Sequence, residues 1–176
     1  MADYKKHRNT IILEDVNIWA GPWRNFAGKA GTFNAEGSRN FWKEVPDDLA
    51  EAMEENHWNV KHRPDREDPD LMHHIVKINV NYRSDNPPEI YVLNRKKKRR
   101  TLMDESVIYK LDKAYIVYAD ISFNPYTKHW PDGKITTTGW LQELTIEIEE
   151  NYLQDKYAEY DEVDNSSIVQ DDDIPF

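Results

Sequence analysis

The sequence contains no cysteine, which excludes disulfide frameworks, thiolate zinc sites and cysteine nucleophiles and fits a reducing compartment. Glycine is scarce, six in 176 residues. No Gly-rich phosphate loop, βαβ rhythm or internal repeat occurs, which disfavours doubly wound and repeat folds. No apolar run approaches the roughly 18 residues of a membrane span. Met1 to Thr10 is polar and carries no signal-peptide core, so a cytoplasmic protein is expected. The histidines His7, His57, His62, His73, His74 and His129 show no metal-ligand spacing, and no HExxH pattern occurs. Neither a metal nor a cofactor is expected, and the chain reads as a binder rather than an enzyme.

What is abundant is charge and aromatic surface. Charged residues make up 32% and aromatic residues 12% of the chain, and the formal net charge is −10. That excess is not evenly spread. Met1 to Ile146 holds 22 basic and 22 acidic residues, whereas Glu147 to Phe176 holds 1 basic and 11 acidic. A neutral body thus precedes an acidic tail, the distribution of an interaction appendage. The boundary is expected near Tyr160, giving a folded domain over 1–160 and a disordered acidic tail over 161–176.

Two-residue alternation recurs through the body and predicts an antiparallel sheet. In Ile75 to Arg83, the residues Val76, Ile78, Val80 and Tyr82 share one face, and Lys77, Asn79, Asn81 and Arg83 the other. Further strands are predicted within Thr10 to Trp19, at Glu89 to Asn94, at Tyr115 to Phe123 and at Ile135 to Ile148, with Asp132-Gly133 turning the last two into a long hairpin. Gly28 to Lys43 reads as another hairpin, turning at Asn34 to Ser38. Helical insertions are predicted over Asp47 to Asn56, with Leu49, Ala52 and Met53 on one side, and over Asp104 to Leu111. The expected fold is mainly β: an OB-like five-stranded barrel with short helical insertions.

Several segments mix rings with cations, the pattern that stacks unpaired bases and neutralises phosphates. Arg39, Phe41 and Lys43 alternate, which on a strand places a ring between two cations; the alternative is a surface cluster with Phe41 partly buried. Trp23, Arg24, Phe26 and Lys29, beside Trp19, fall in the first inter-strand loop, where the rings either stack on bases or belong to the core. Lys128 and Trp130, with His129 between them, fall in the last hairpin. OB folds bind oligonucleotides with their β2–β3 face and the L12 and L45 loops. The run Arg95, Lys96, Lys97, Lys98, Arg99, Arg100 is too dense in charge to fold inward and suits polyphosphate, a localisation signal or a plain solvated loop. Phe33, Lys61, Arg63, Lys77 and Arg83 complete the candidate nucleic-acid set.

The last residues, Asp171, Asp172, Asp173, Ile174, Pro175 and Phe176, place an apolar plug and an α-carboxylate behind a run of aspartates. A ring to fill a pocket, a carboxylate to pair with a basic rim and a stiffening proline make a docking peptide. This tip resembles the C-terminal peptide of bacterial single-stranded DNA-binding proteins. The resemblance implies recruitment of replication, recombination and repair proteins.

The body is unlike the bacterial family's own domain. It resembles bacteriophage single-stranded DNA-binding proteins with an OB fold, on Phe33 to Phe41, on Trp58-Asn59-Val60-Lys61, and on the stretch from Val76 through Asn124-Pro125-Tyr126. That resemblance implies sequence-independent binding and protection of single-stranded DNA, in the bacterial host cell if a phage encodes the chain. Two rivals use other features: a metal-dependent nuclease built on Asp65, Glu67, Asp68 and Asp70, and an acidic DNA mimic that inhibits a partner.

Overall fold

The computed structural model describes residues 10–94 and 97–149. The tail boundary, the acidic tail with its tip, and Arg95 and Lys96 lie outside the described residues.

The fold is built on one long hairpin. Strands β8 (Ile116–His129) and β9 (Ile135–Ile148) pair antiparallel over almost their whole length. They turn at the predicted Asp132-Gly133, where Gly133 takes the positive φ of 88° that favours glycine. β1 (Ile11–Val16) lies along the other edge of β8.

The free edge of β9 is shared by two partners, both parallel to it. β5 (Met72–Asn79) meets it at Gly139 and Trp140, and β6 (Glu89–Asn94) meets it from Glu143 to Glu147. β3 (Asn40–Val45) and the short β4 (Lys61–Pro64) pair with β5, the two-residue β2 (Arg24–Asn25) with β3, and β7 (Arg99–Leu102) with β6. The result is a curled half-barrel sheet, in the order β1-β8-β9-β5-β3-β2 with β4, β6 and β7 off that path.

A bulge in β9 fixes which side chains face inward. Ser122 pairs with Glu143 but Phe123 pairs with Leu141, so Gln142 is an extra residue. Before it, the odd positions Thr137, Gly139 and Leu141 are buried; after it, the even positions Leu144, Ile146 and Ile148 are. The bulge thus keeps apolar residues inward while the parity changes, and adds local twist. Gly139 is required here, because a Cβ would come within 2.9 Å of the Phe123 ring.

The mainly β fold, the long hairpin and the strands at Glu89–Asn94 and Ile135–Ile148 match the sequence expectation. The helix α1 spans Asp47–Glu55, with Asp47 and Asp48 in the first turn, where carboxylates suit the helix dipole. It buries Ala50 and Met53, while Ala52 is exposed rather than core-facing.

Three local expectations are corrected. Residues 26–39 are a loop, closed by Gly31 against Asn34 and by the Gly37 amide donating to the Gly28 carbonyl, so the hairpin strands are only Arg24–Asn25 and Asn40–Val45. Residues 104–107 form a turn, and the helical segment is 3-10 and later, Ile108–Lys113. In β5, Ile75 is as fully buried as Val76, and the strand ends at Asn79.

Candidate nucleic-acid interface

Burial sorts the predicted residues, beginning with those that point inward. On β3, Phe41, Lys43 and Val45 face the core opposite Ile78, Val76 and His74 of β5. Phe41 is 0% exposed and stacks on Phe26, also 0% exposed, with ring centres 5.3 Å apart. Phe41 and Phe26 are therefore core rings, not bases' partners. Lys43 is buried beside them, and burial pulls its pKa down.

Arg24 is a structural tie. Its guanidinium donates to the carbonyls of Ile18, Trp19, Leu111 and Ala114. Asp112 accepts from the amides of Phe26 and Ala27 in the same region, fastening the first loop to the 3-10 turn. The expected outward projection of Phe41 and Lys43 thus fails by one residue, and such a slip reverses every side chain of a strand, while Arg39 precedes β3 and lines a groove with Asn79 and Trp140.

The reversal brings a different set outward. Trp42 stands opposite Lys77, and the Lys61 ammonium sits 5.1 Å from the Trp42 ring centre. Asn79 stands opposite Trp140 and donates to the Thr138 hydroxyl at 3.2 Å. Trp140 lies flat on Tyr126 of β8, with ring centres 4.4 Å apart and planes 8° from parallel. At the hairpin tip the Lys128 ammonium is 3.9 Å from the Trp130 ring centre, and the Trp130 indole N–H donates to Thr136 at 2.8 Å.

These residues run across β8, β9, β5 and β3 on the face turned away from the core. Tyr126 and Trp130 remain 43% and 42% exposed, enough ring surface to stack on a base. Burial and the neighbouring Lys61 together lower the pKa of Lys77, the mark of cations crowded along the face.

The row ends in a pocket of about 350 Å³ lined by Trp19, Trp23, Arg63, Arg66 and His73. Trp19 meets Trp23 edge to face at 5.5 Å and His73 at 5.4 Å. His73 is held at Nε2 by Asp65 at 2.9 Å and at Nδ1 by Glu44. The hydrogen bond to Asp65 first, then that to Glu44, raises the pKa of His73, while Asp65 falls to about 2. Asp65 and Asp68 also cap the amides of Glu67, Asp68 and Asp70, so these carboxylates build the turn after β4. Among the described residues no group of three His, Asp or Glu side chains is placed to hold a metal ion.

The remaining predicted residues are scattered. Lys29 and Phe33 lie on the 26–39 loop, Phe33 being 94% exposed. Arg83 is exposed at the rim of a groove that also contains Arg39. Lys97 and Lys98 occupy the turn before β7, and Arg99 and Arg100 are part of that strand. Arg100 stacks on Tyr91 at 3.8 Å and pairs with Glu143 at 2.8 Å. Sequence reasoning missed Trp42 and Trp140 altogether. The signal was there: each is an aromatic ring on the polar parity of an alternating strand, in Asn40-Trp42-Glu44 and Thr136-Thr138-Trp140.

The whole chain, residues 1–176, matches the family model described as "Putative phage ssDNA-binding domain". The chain belongs to that family. The phage single-stranded DNA-binding domain also has structural relatives. It is similar to the C-terminally truncated single-stranded DNA-binding protein of bacteriophage Enc34, with a TM-score of 0.50 at 10% identity, over 81% of this chain and 87% of that one. The untruncated Enc34 protein gives a TM-score of 0.49 at 9% identity, over 81% and 82%. No protein of curated function matches the chain by sequence. Among the described residues of the domain, no helix is long and apolar enough to cross a membrane.

Proposed function

We propose that this phage single-stranded DNA-binding domain coats unpaired DNA with little regard to sequence, protecting it during replication, recombination and repair without chemistry of its own. One observation carries the reading: the row of Trp130, Tyr126, Trp140 and Trp42, interleaved with Lys128, Lys77 and Lys61 on one face of the sheet. Stacking on a ring accepts any base, because every base has a π-face, and each stacked base is worth about 1–3 kcal/mol. The lysines supply the phosphate contacts that place the strand without reading it. We further assign Asp171 to Phe176 the role of a protein-docking peptide for replication and repair enzymes, and the cytoplasm of the host as the place of action.

Titration with oligo-dT, read by tryptophan fluorescence, tests the first part. Quenching is expected, with log affinity falling against log salt by about 0.7 for each phosphate neutralised. An affinity indifferent to salt, or no quenching, would refute it. Deleting Asp171 to Phe176 is expected to leave oligo-dT binding intact and abolish capture of partner enzymes; equal loss of both would refute the division of labour.

A further inference from the structure

Beside Trp140, the aromatic row opens into a groove of about 510 Å³ whose floor includes Arg39, Tyr82 and Asn79. Two polar atoms there, Arg39 Nε and the Tyr82 hydroxyl, are buried and have no hydrogen-bond partner among the described residues. Folded proteins leave few such atoms, since a buried donor without a partner is costly. Arg39 sits 5.4 Å over the Tyr82 ring, and its Nη1 is taken by Glu105 at 2.6 Å. The pair leaves the Nε edge of the guanidinium idle.

Charge decides what the groove suits. Arg39 and Arg83 are matched by Glu105 and Glu36 in the same lining, and Arg39 is already neutralised by Glu105. A phosphate finds no net positive charge there. Tyr82, desolvated by burial and flanked by Glu105 and Asp104, has its pKa pushed up to about 12 and keeps its proton as a donor. Two donors in a neutral slot, walled on one side by an indole, suit an uncharged planar group that presents acceptors along one edge.

We infer that this groove takes one nucleobase edge-on and reads it, with Arg39 Nε–H and Tyr82 O–H donating to adjacent acceptors, which guanine offers as N7 and O6. In the duplex major groove, arginine on that edge of guanine is the commonest specific base contact. The inference rests on the proposed path of the strand over Trp140, and it adds one selective position to a face that is otherwise indifferent to sequence. Both donors are closed off from water, so the base reaches them as Arg39 and Glu105, whose side chain is about half exposed, shift together as a pair.

The test compares plain oligo-dA with oligo-dA carrying one central guanine, or 7-deazaguanine, at fixed salt. The guanine strand is expected to bind ~5- to 10-fold tighter than plain oligo-dA, and removing N7 is expected to erase most of that preference. Tyr82→Phe, which deletes only the hydroxyl, and Arg39→Lys, which deletes the Nε edge, are each expected to bring the ratio close to one. Tyr91→Phe, elsewhere on the sheet, is expected to keep it. A wild-type ratio near one, with salt-dependent binding of oligo-dA retained, overturns the base slot alone, as does a preference that survives in both variants. Failure to bind any strand overturns the slot together with the coating function.

Discussion

The outward face of the β8–β9 hairpin carries two chemistries on the same two strands, and the contrast separates cations left unpaired from cations already satisfied. Toward the hairpin tip lie Trp130, Tyr126 and Trp140 with Lys128, continued by Trp42, Lys61 and Lys77 on the neighbouring strands. Toward its base, beyond the Gln142 bulge, a groove of about 490 Å³ is lined by Glu14, Glu89, Asp120 and Glu143. Both halves contain a cation stacked on a ring, Lys128 on Trp130 at 3.9 Å and Arg100 on Tyr91 at 3.8 Å. The difference is in what else the cation touches. Arg100 is paired with Glu143, so its charge is satisfied within the protein. Lys128, Lys77 and Lys61 form no ion pair among the described residues, so on the proposed path of the strand theirs is left for a phosphate.

The largest effect expected from breaking this contrast is on the rings of the tip half. Replacing Trp42 and Trp140 together with alanine removes two stacking platforms, and at about 1–3 kcal/mol for each base weakens oligo-dT binding by at least ~30-fold. Tyr91→Ala in the basal half, where the ring is covered by Arg100, is expected to change it by less than about twofold. Fluorescence anisotropy with a labelled strand measures both. Equal losses in the two halves would mean that the strand follows another path.

A smaller effect, in the salt dependence, separates free cations from paired ones. Lys61→Ala and Lys128→Ala are each expected to reduce the slope of log affinity against log salt by about 0.7. Arg100→Ala is expected to leave the slope unchanged, because Glu143 already neutralises that charge. A slope that responds to Arg100 and ignores both lysines would reverse the assignment of the halves.

Strand periodicity made the architecture legible, but not the choice of face. The β9 limits and the turn at Asp132-Gly133 follow directly from alternation and turn chemistry. β3 did not yield in the same way, because Arg39, Phe41 and Lys43 look like a ligand face while Phe41 and Val45 also look like core. Burial of a lysine beside them is not something local pattern announces. It follows from β5, whose Ile78 and Val76 lie opposite Phe41 and Lys43. Trp140 was hidden differently. The Gln142 bulge shifts the parity of β9 midway, so its polar side near Trp140 is marked only by the short run Thr136-Thr138-Trp140 and not by one period through the whole strand. Arg24 was unreadable for a third reason: the four carbonyls it holds are up to 90 residues away in sequence. In the basic run, Arg99 and Arg100 enter a strand because β6 supplies a pairing edge, and density of charge gave no sign of that.

The smallest effect concerns the far end of the aromatic row, where His73 joins two carboxylates beneath Trp19. Its folded pKa is raised above the ordinary value of about 6.5. The protonated ring is the form that Asp65 and Glu44 hold, so its contribution to stability is complete below the unfolded pKa. It is lost as pH rises through the raised folded value. The Asp65 carboxylate, lowered to about 2, works in the opposite sense and loses its contribution only as the medium becomes strongly acid. Between these limits His73 is a cation beside Trp23 and Arg63, in the pocket that ends the row. Already paired, His73 is not left for a phosphate, but its deprotonation leaves Asp65 and Glu44 uncompensated. Oligo-dT affinity is therefore expected to drop by about twofold on raising pH across the His73 transition, the modest size typical of a partly exposed charge. His73→Gln is expected to flatten both this profile and the alkaline side of the melting-temperature profile. Profiles that stay parallel in wild type and variant would show that the imidazolium takes no part in holding either the loop or the strand.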